Sequence, residues 1–330
     1  MALRAPAWRL AWTGTDVAAD LEPLVTGVEY ADVEHGRADE IELRLVDADG
    51  RWRGAWYPAT GDRVELALGY RGERLLPCGT FELDAVEITG PPDAAVLRGL
   101  AAPVTPSLRT RRSDAFEDAS LREIAEAVAA RHGLRLTFAV EDVPLGRVTQ
   151  NDQRDLEFLR ALAARYGHVV AVRGDQLVFW ALAELEAQPP ALTLRRGELV
   201  RWAFTDGSTD VYRACECRYQ HPREKRLITA RVEDPSVPTG DTLTLSERLE
   251  HEAQAERRAR AALAESNRGE VTGRVEVEGD TRLVAGVVAD LVGFGRLDGR
   301  WFVNSSRHRI SKSRGYTTRA ELRRIERVRA

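Results

Sequence analysis

A few groups of residues have types and spacing that could support chemistry. Cys215-x-Cys217 is followed by His221, and these residue types bind zinc. His251-Glu252 resembles the start of a zinc-protease motif, but position 255 holds Ala where the second His is required. Neither group completes a ligand set. The alternative interpretation is that the two cysteines are partly buried residues of a strand.

Motifs for nucleotide binding and nucleophilic catalysis are incomplete. Gly293-x-Gly295-x-x-x-Gly299 misses the dinucleotide spacing by one residue and precedes a strand instead of a helix. There is no Gly-x-Ser-x-Gly elbow and no Walker loop. Asp47-Ala-Asp-Gly50 lacks the later ligands of a calcium loop, so a turn is predicted there. Abundant acidic residues leave a glycosidase carboxylate pair open. The sequence assigns no catalytic, metal-binding or cofactor-binding residue and predicts no cofactor.

Length, composition and charge limit the class of protein. A chain of 330 residues predicts two or three domains, and 43% hydrophobic residues can form their cores. The net charge of −4 argues against a dedicated nucleic-acid-binding surface. Three cysteines argue against a disulfide framework. We find no signal-peptide pattern and no apolar run of the roughly 20 residues that span a bilayer. Synthesis in a cytoplasm without membrane insertion is therefore predicted.

The clearest β pattern lies between Gly61 and Leu100. Apolar residues alternate with polar ones from Val64 to Tyr70, which predicts a strand with one buried face. A second strand is predicted over residues 81–88, with a bulge near Ala85 where the apolar phase shifts. A turn at Gly90-Pro-Pro-Asp93 leads to a return strand over residues 96–100.

This block recurs loosely over residues 288–323. The alignment places Val288 with Val64, Val292 with Leu68, Gly299 with Gly79 and Trp301 with Phe81. Two interpretations stay open, a duplicated β-domain and two unrelated β-meanders with similar turns.

The remaining segments predict further strands and three helices. Strands are expected at 7–12, 25–33, 40–46, 134–140, 199–204, 211–219, 227–232 and 271–277, and a hairpin at 169–172 and 176–180. Ser120-Leu-Arg-Glu123 is a capping box that opens a helix ending at His132-Gly133. A second helix is predicted from Asp152 to Tyr166. Thr244-Leu-Ser-Glu247 is predicted to cap a third helix, to about residue 264. Pro103 and Pro106 mark a linker before the α+β segment.

The chain resembles the phage late-control D family, the baseplate hub proteins of contractile tails, and is similar to the N-terminal hub module of VgrG in type VI secretion. The order and spacing of four segments support the resemblance. They are Pro58-Ala-Thr-Gly61-Asp62, Gly79-Thr-Phe-Glu-Leu-Asp84, the insert from Ser120 through Thr149-Gln150 to Phe158-Leu159, and Gly315-Tyr-Thr-Thr-Arg-Ala-Glu-Leu322.

The resemblance implies a mainly β protein with an α+β insert. Two tail-tube-like barrels are expected at residues 1–102 and 189–330, the second with one long helix, around an inserted domain at 103–188. It also implies a homotrimer whose six barrels form a ring. This ring would join the six-fold tail tube to the three-fold spike and would line the channel.

Expected partners are the spike protein, the tube protein, other baseplate proteins, and DNA or an effector passing without specific binding. The expected location is a virion baseplate or injection particle assembled in the bacterial cytoplasm. The family's spike barrel and β-helix are missing, which favours a separate spike protein. Interface residues stay unassigned. The rival hypotheses are a tail-tip cell-wall hydrolase and a hub of a type VI or extracellular injection system.

Overall fold

The computed structural model describes residues 4–33, 39–101, 110–173, 175–207, 209–221 and 225–326. Strands dominate and helices are few, so the predicted mainly β class is confirmed. The predicted linker prolines, Pro103 and Pro106, and the turn residue Gly174 lie outside the described residues. Within those ranges no helix has both the length and the apolar character needed to cross a membrane.

The first hundred residues form the strands that alternation predicts. In order they are β1 Pro6–Trp12, β2 Thr15–Asp16, the short helix α1 Ala18–Leu21, β3 Val25–Val33, β4 Glu40–Val46, β5 Arg63–Tyr70, β6 Leu76–Thr89 and β7 Ala94–Ala101. Val64, Leu66 and Leu68 are buried, as the alternation in β5 predicts. The second strand begins at Leu76, five residues before the prediction. The expected bulge is present, because the register of β6 against β7 shifts between Leu83 and Ala85.

The α+β segment follows. Its elements are β8 Arg111–Phe116, β9 Ala119–Ser120, α2 Leu121–Arg131, β10 Arg135–Ala139, β11 Pro144–Leu145, β12 Val148–Arg154, α3 Asp155–Ala164, β13 His168–Arg173, β14 Gln176–Ala181 and α4 Leu182–Glu186. The capping box is confirmed, since Ser120 Oγ accepts a hydrogen bond from the Glu123 amide and the Glu123 carboxylate accepts one from the Ser120 amide. The second helix begins at Asp155, because residues 148–154 pair with β8.

The last third of the chain returns to β. Its elements are β15 Leu192–Arg195, β16 Leu199–Asp206, β17 Ala214–His221, β18 Arg226–Glu233, β19 Thr242–Leu245, α5 Glu252–Arg268, β20 Val271–Glu278, β21 Val288–Val292, β22 Gly299–Ser311 and β23 Gly315–Arg324. The prediction that Thr244–Glu247 caps a helix is wrong. Thr242–Leu245 instead pairs in parallel with Ala214–Cys217, and α5 begins after His251, whose Nδ1 accepts a hydrogen bond from the Gln254 amide.

One large sheet repeats a six-strand order. The first run is β3-β4-β7-β6-β5-β1, and the second is β16-β20-β23-β22-β21-β15. Numbered along the chain within each run, both read second, third, sixth, fifth, fourth, first. The runs differ at the first strand, because β1 lies antiparallel to β5 whereas β15 lies parallel to β21. The two runs are joined where β22 pairs antiparallel with β3.

The cross-strand register corrects the predicted alignment of the repeat by one residue in its first strand. Leu66 lies opposite Gly79, and Leu291 lies opposite Gly299. Leu66 therefore corresponds to Leu291, whereas the sequence alignment placed it with Asp290. In the second strand, the predicted match of Gly79 with Gly299 is kept. Both glycines adopt a positive φ, +109° and +118°, which favours glycine.

Backbone contacts divide the chain into two units. The first contains Met1–Ala102, Pro190–Ala203 and Gly273–Leu322, and the second contains Pro103–Pro189, Phe204–Thr272 and Arg323–Ala330. In the second unit, α5 and β17–β19 accompany the α+β segment, and Tyr166 Oη accepts a hydrogen bond from Gln254 Nε2 at 3.1 Å. Residues 204–272 therefore group with the insert by contact. The division of the chain into two barrels and one inserted domain stays a prediction.

Candidate functional site

The face of the large sheet that alternates with the core residues is covered by interleaved arginine and glutamate side chains. We call it the charged face. From β20 across to β5 its members are Arg274, Glu276, Arg319, Glu321, Arg307, Arg309, Glu29, Glu42, Arg44, Arg98, Glu87, Glu82 and Arg63. The two charge types occur in similar number. Such a surface presents many polar groups but little net charge.

Ion pairs connect neighbouring strands across this face. Arg98 on β7 lies 3.1 Å from Glu42 on β4 and 2.8 Å from Glu87 on β6. Hydrogen bonds to Glu87 and Glu42 raise the pKa of Arg98. Arg307 on β22 pairs with Glu29 on β3, across the junction between the two runs. Exposed pairs of this kind contribute only about 0–1 kcal/mol each. Their main effect is therefore to neutralise the arginines.

Glutamates near the middle of the face lie beneath the arginines. The side chains of Glu29 and Glu42 are 17% and 19% exposed, whereas those of Arg307 and Arg98 are 55% and 46% exposed. The outer surface of this face therefore presents guanidinium groups, and the carboxylates beneath them neutralise their charge. The arrangement offers no uncompensated cationic stripe of the kind that binds phosphate backbones.

The opposite face of β22 holds a buried polar cluster around His308. Its Nδ1 lies 2.8 Å from Tyr316 Oη and 3.2 Å from Thr318 Oγ1, and its Nε2 lies 3.2 Å from Ser306 Oγ. The ring stacks on Tyr30 with the ring centres 6.0 Å apart. Burial lowers the pKa of His308 to about 4. The imidazole is therefore neutral near pH 7 and is held by neutral hydroxyl groups.

A second buried polar cluster lies in the α+β segment around Asp155, the first residue of α3. The carboxylate accepts hydrogen bonds from Arg131 Nη1 at 3.0 Å and Gln150 Nε2 at 2.9 Å, and lies 2.7 Å from His132 Nε2. Burial raises the pKa of Asp155, but the hydrogen bonds from Gln150, His132 and Arg131 outweigh it and leave the pKa below its ordinary value. Gln150 and Asp155 belong to the segment from Ser120 to Leu159 that carries the family resemblance, and their hydrogen bond holds the start of α3 in place.

The residues first considered for metal chemistry have structural roles. Cys215 and Cys217 are fully buried against α5. Burial raises the pKa of both thiols, that of Cys217 to about 12, so both are neutral thiols near pH 7. His251 caps α5. Among the residues that the structure describes, no cluster of His, Cys, Asp or Glu could hold a metal ion.

The described carboxyl groups with a clearly shifted pKa differ from a hydrolase acid, whose pKa is raised. Wherever the pKa of a described carboxyl group is clearly shifted, it is lowered, as for Asp155, Asp280 and Glu216. A depression on β1, β5 and β6 is lined by Arg9, Glu65 and Thr80 among others, and Glu65 is its one acidic lining residue. It therefore lacks the pair of carboxyl groups used in glycoside hydrolysis.

Known proteins with similar sequences come from phage tails. No family model matches the chain. A protein of Escherichia phage 186, named "Probable baseplate hub protein", is 25% identical over 96% of this chain and 92% of its own length. The protein of the same name from Escherichia phage P2 is 25% identical over 67% of this chain and 58% of its own length.

Solved structures with the same fold also come from tails and from type VI secretion. A 43 kDa tail protein of prophage MuSo2 from Shewanella oneidensis matches with a TM-score of 0.73 at 13% identity, over 96% of this chain and 98% of its own. A type VI secretion component of Escherichia coli, described as structurally similar to the T4 tail proteins gp27 and gp5, matches with a TM-score of 0.57 at 12% identity, over 90% and 73%.

The resemblance inferred from the sequence is thereby confirmed. This chain resembles phage baseplate hub proteins in sequence and has the fold of phage tail proteins and of their type VI secretion relatives.

Proposed function

We propose that this chain is the baseplate hub of a contractile phage tail or phage-like injection particle. It forms a homotrimer that joins a six-fold tail tube to a three-fold spike and lines the channel between them. Its partners are the spike protein, the tube protein and other baseplate proteins. The particle assembles in the bacterial cytoplasm, and the hub resides in its tail baseplate.

The observation that carries the proposal is the six-strand order that occurs twice in one sheet. A chain with two similar halves can present six similar units when three copies close into a ring. The six similar units of such a ring match the symmetry of a six-fold tube. Its three chains match the symmetry of a three-fold spike. Each half is then one tube-like barrel.

The charged face supports the channel-lining part of the proposal. A channel that passes DNA has to avoid strong binding, and phosphate backbones bind uncompensated Lys and Arg. Glutamates such as Glu29 and Glu42 neutralise Arg307 and Arg98 within ion-pair distance. We assign this face to the channel.

Light scattering of the purified protein tests the assembly. We expect a mass of three times the 36.7 kDa chain, either alone or after addition of the spike protein. End-on averages from electron microscopy should show six similar densities. A stable dimer, with or without spike protein, would contradict the hub.

The similarity to a type VI secretion component favours one second candidate, the hub of a type VI or extracellular injection system. The two particles differ in the genes that surround the hub. Neighbouring capsid genes would support a phage, and a neighbouring ATPase gene would support type VI secretion. A turbidity assay on purified peptidoglycan tests the hydrolase alternative, and the hub proposal expects no clearing.

A further inference from the structure

The contact that joins the two halves of the chain provides a template for a contact between chains. Residues Ser305–Ser311 of β22 pair antiparallel with Gly27–Val33 of β3. In the repeated order, β22 corresponds to β6 and β3 corresponds to β16. The corresponding contact between β6 and β16 is absent within the described chain, so each of these two strands keeps an edge without a strand partner.

The open edge of β6 begins where β5 ends. The pairing of β5 with β6 stops at Arg63 and Glu82, and β7 covers only the other edge of β6. Residues 84–89 therefore have an outer edge with no strand beside it in the described part of the structure. On β22, the equivalent segment is the one that β3 covers.

The side chains at this edge lack the cover that their counterparts have. With Gly79 matched to Gly299, Val86 occupies the place of Ser306 and Ile88 that of His308. The two β22 residues are 3% and 0% exposed beneath β3, whereas Val86 and Ile88 are only partly buried against the core. A strand laid on this edge would bury them.

The open edge of β16 has the properties of a pairing surface. β20 is its one strand neighbour among the described residues. Val200 is 60% exposed and Trp202 is 46% exposed. Arg201 and Asp206 are the two charged residues of β16. Exposed edge strands are normally protected by charges, bulges or prolines. An apolar edge with little such protection is suited to accept another strand.

We propose that residues 203–206 of β16 in one chain pair antiparallel with residues 86–89 of β6 in a second copy of the same chain. The inference rests on the proposed trimeric hub and names its contact. Each copy carries one β16 edge and one β6 edge, so the contact is head-to-tail. Around the ring, β22–β3 contacts within chains alternate with β6–β16 contacts between chains.

The internal contact also supplies the register. Arg307 lies opposite Ala31. Glu87 corresponds to Arg307, and the similar sequences Val28-Glu-Tyr-Ala-Asp32 and Trp202-Ala-Phe-Thr-Asp206 match Thr205 to Ala31. Glu87 is therefore expected opposite Thr205, and Thr89 opposite Ala203. Cβ atoms of directly opposed residues lie about 4.5–5.5 Å apart, within reach of a short cross-linker.

Paired cysteine variants test this contact. Glu87→Cys with Thr205→Cys, and Thr89→Cys with Ala203→Cys, place thiols at exposed positions, while the native Cys78, Cys215 and Cys217 are buried. After oxidation or treatment with a short bis-maleimide, denaturing gels should show dimers and trimers, with the trimer as the largest product. The matched control, Glu87→Cys with Thr193→Cys on β15, should remain mostly monomeric.

The outcomes separate the contact from the hub. A trimer by light scattering whose paired variants cross-link no more than the control would overturn this contact and leave the hub in place. Products that grow beyond the trimer would overturn the closed ring, and a protein that neither assembles nor cross-links, with or without spike protein, would overturn both.

Discussion

His308 is a titratable residue placed where water does not reach it. Its partners Tyr316, Thr318 and Ser306 are neutral hydroxyl groups. The buried site therefore accommodates the neutral imidazole and disfavours the cation, which makes this residue a source of acid sensitivity.

Replacing His308 with Gln should reduce the dependence of stability on pH. In the unfolded chain a histidine binds a proton near pH 6.5, whereas in the folded chain the pKa of His308 is about 4. Between these values the unfolded state binds more protons, so the free energy of unfolding falls as the pH falls, by up to about 3 kcal/mol. Urea unfolding at pH 7 and pH 5 measures this dependence. Equal pH dependence in the variant and the parent would contradict the expectation.

The Asp155 cluster allows a matched comparison at residue scale. Arg131 binds Asp155, whose side chain is 1% exposed, and Asp114, whose side chain is 37% exposed. Asp155→Asn should cost about 2–4 kcal/mol, because Arg131 and His132 lose their buried carboxylate. Asp114→Asn should cost less than about 1 kcal/mol. Urea unfolding midpoints compare the two, and similar losses would argue against a special role for the buried site.

At the scale of elements, local sequence patterns predicted a helix or strand correctly where the contacts that fix it lie close in sequence. The alternation in β5 and the capping box at Ser120 both predicted the observed elements. Thr244–Glu247 carries the same capping pattern, yet pairing with Ala214–Cys217 makes its first part a strand. That partner lies about thirty residues away, and no local pattern reveals it. A helix start was also predicted at residue 152, but Gln153 and Arg154 instead pair with residues of β8.

The candidate site was less predictable than the fold. The family resemblance implied a channel through which DNA or an effector passes without specific binding, but the sequence named no residue of the channel face. Arg98 and Glu42 meet because β7 lies beside β4, and that neighbourhood follows from the strand order and not from spacing along the chain. The same applies to the junction pair Arg307 and Glu29.

Helix α3 provides a test of packing at element scale. Phe158 is 4% exposed and stacks on Phe116 with the ring centres 5.9 Å apart, whereas Leu156 is only partly buried. Phe158→Ala should lower the free energy of unfolding by about 3–5 kcal/mol, and Leu156→Ala should lower it by less than about 2 kcal/mol. Thermal melts followed by circular dichroism measure both. A larger loss for Leu156→Ala would mean that α3 buries a different face.

At the scale of the whole molecule, the charged face sets how the protein treats nucleic acid. Glu29→Gln, Glu42→Gln and Glu276→Gln together should expose uncompensated arginines and strengthen binding of double-stranded DNA at least about tenfold at low salt, with steep loss as salt rises. Filter binding measures it. A control with the same change in net charge replaces the exposed Glu126, Glu157 and Glu184 with Gln. Equal gains in both triple variants would show that net charge alone matters.

The pairing of β22 with β3 also constrains how the protein is made. Glu29 and Arg307 are 278 residues apart, and Ile310 and Tyr316 belong to the same core as Leu10 and Val28. At about 5–20 residues per second, a ribosome needs roughly 15–60 s to supply the second partner after the first. During that interval β3 is an unpaired edge on an incomplete core, the kind of surface on which nascent chains aggregate. A lower growth temperature or added chaperones during translation should therefore raise the yield of folded protein. The stability of the completed fold should have a smaller effect on that yield.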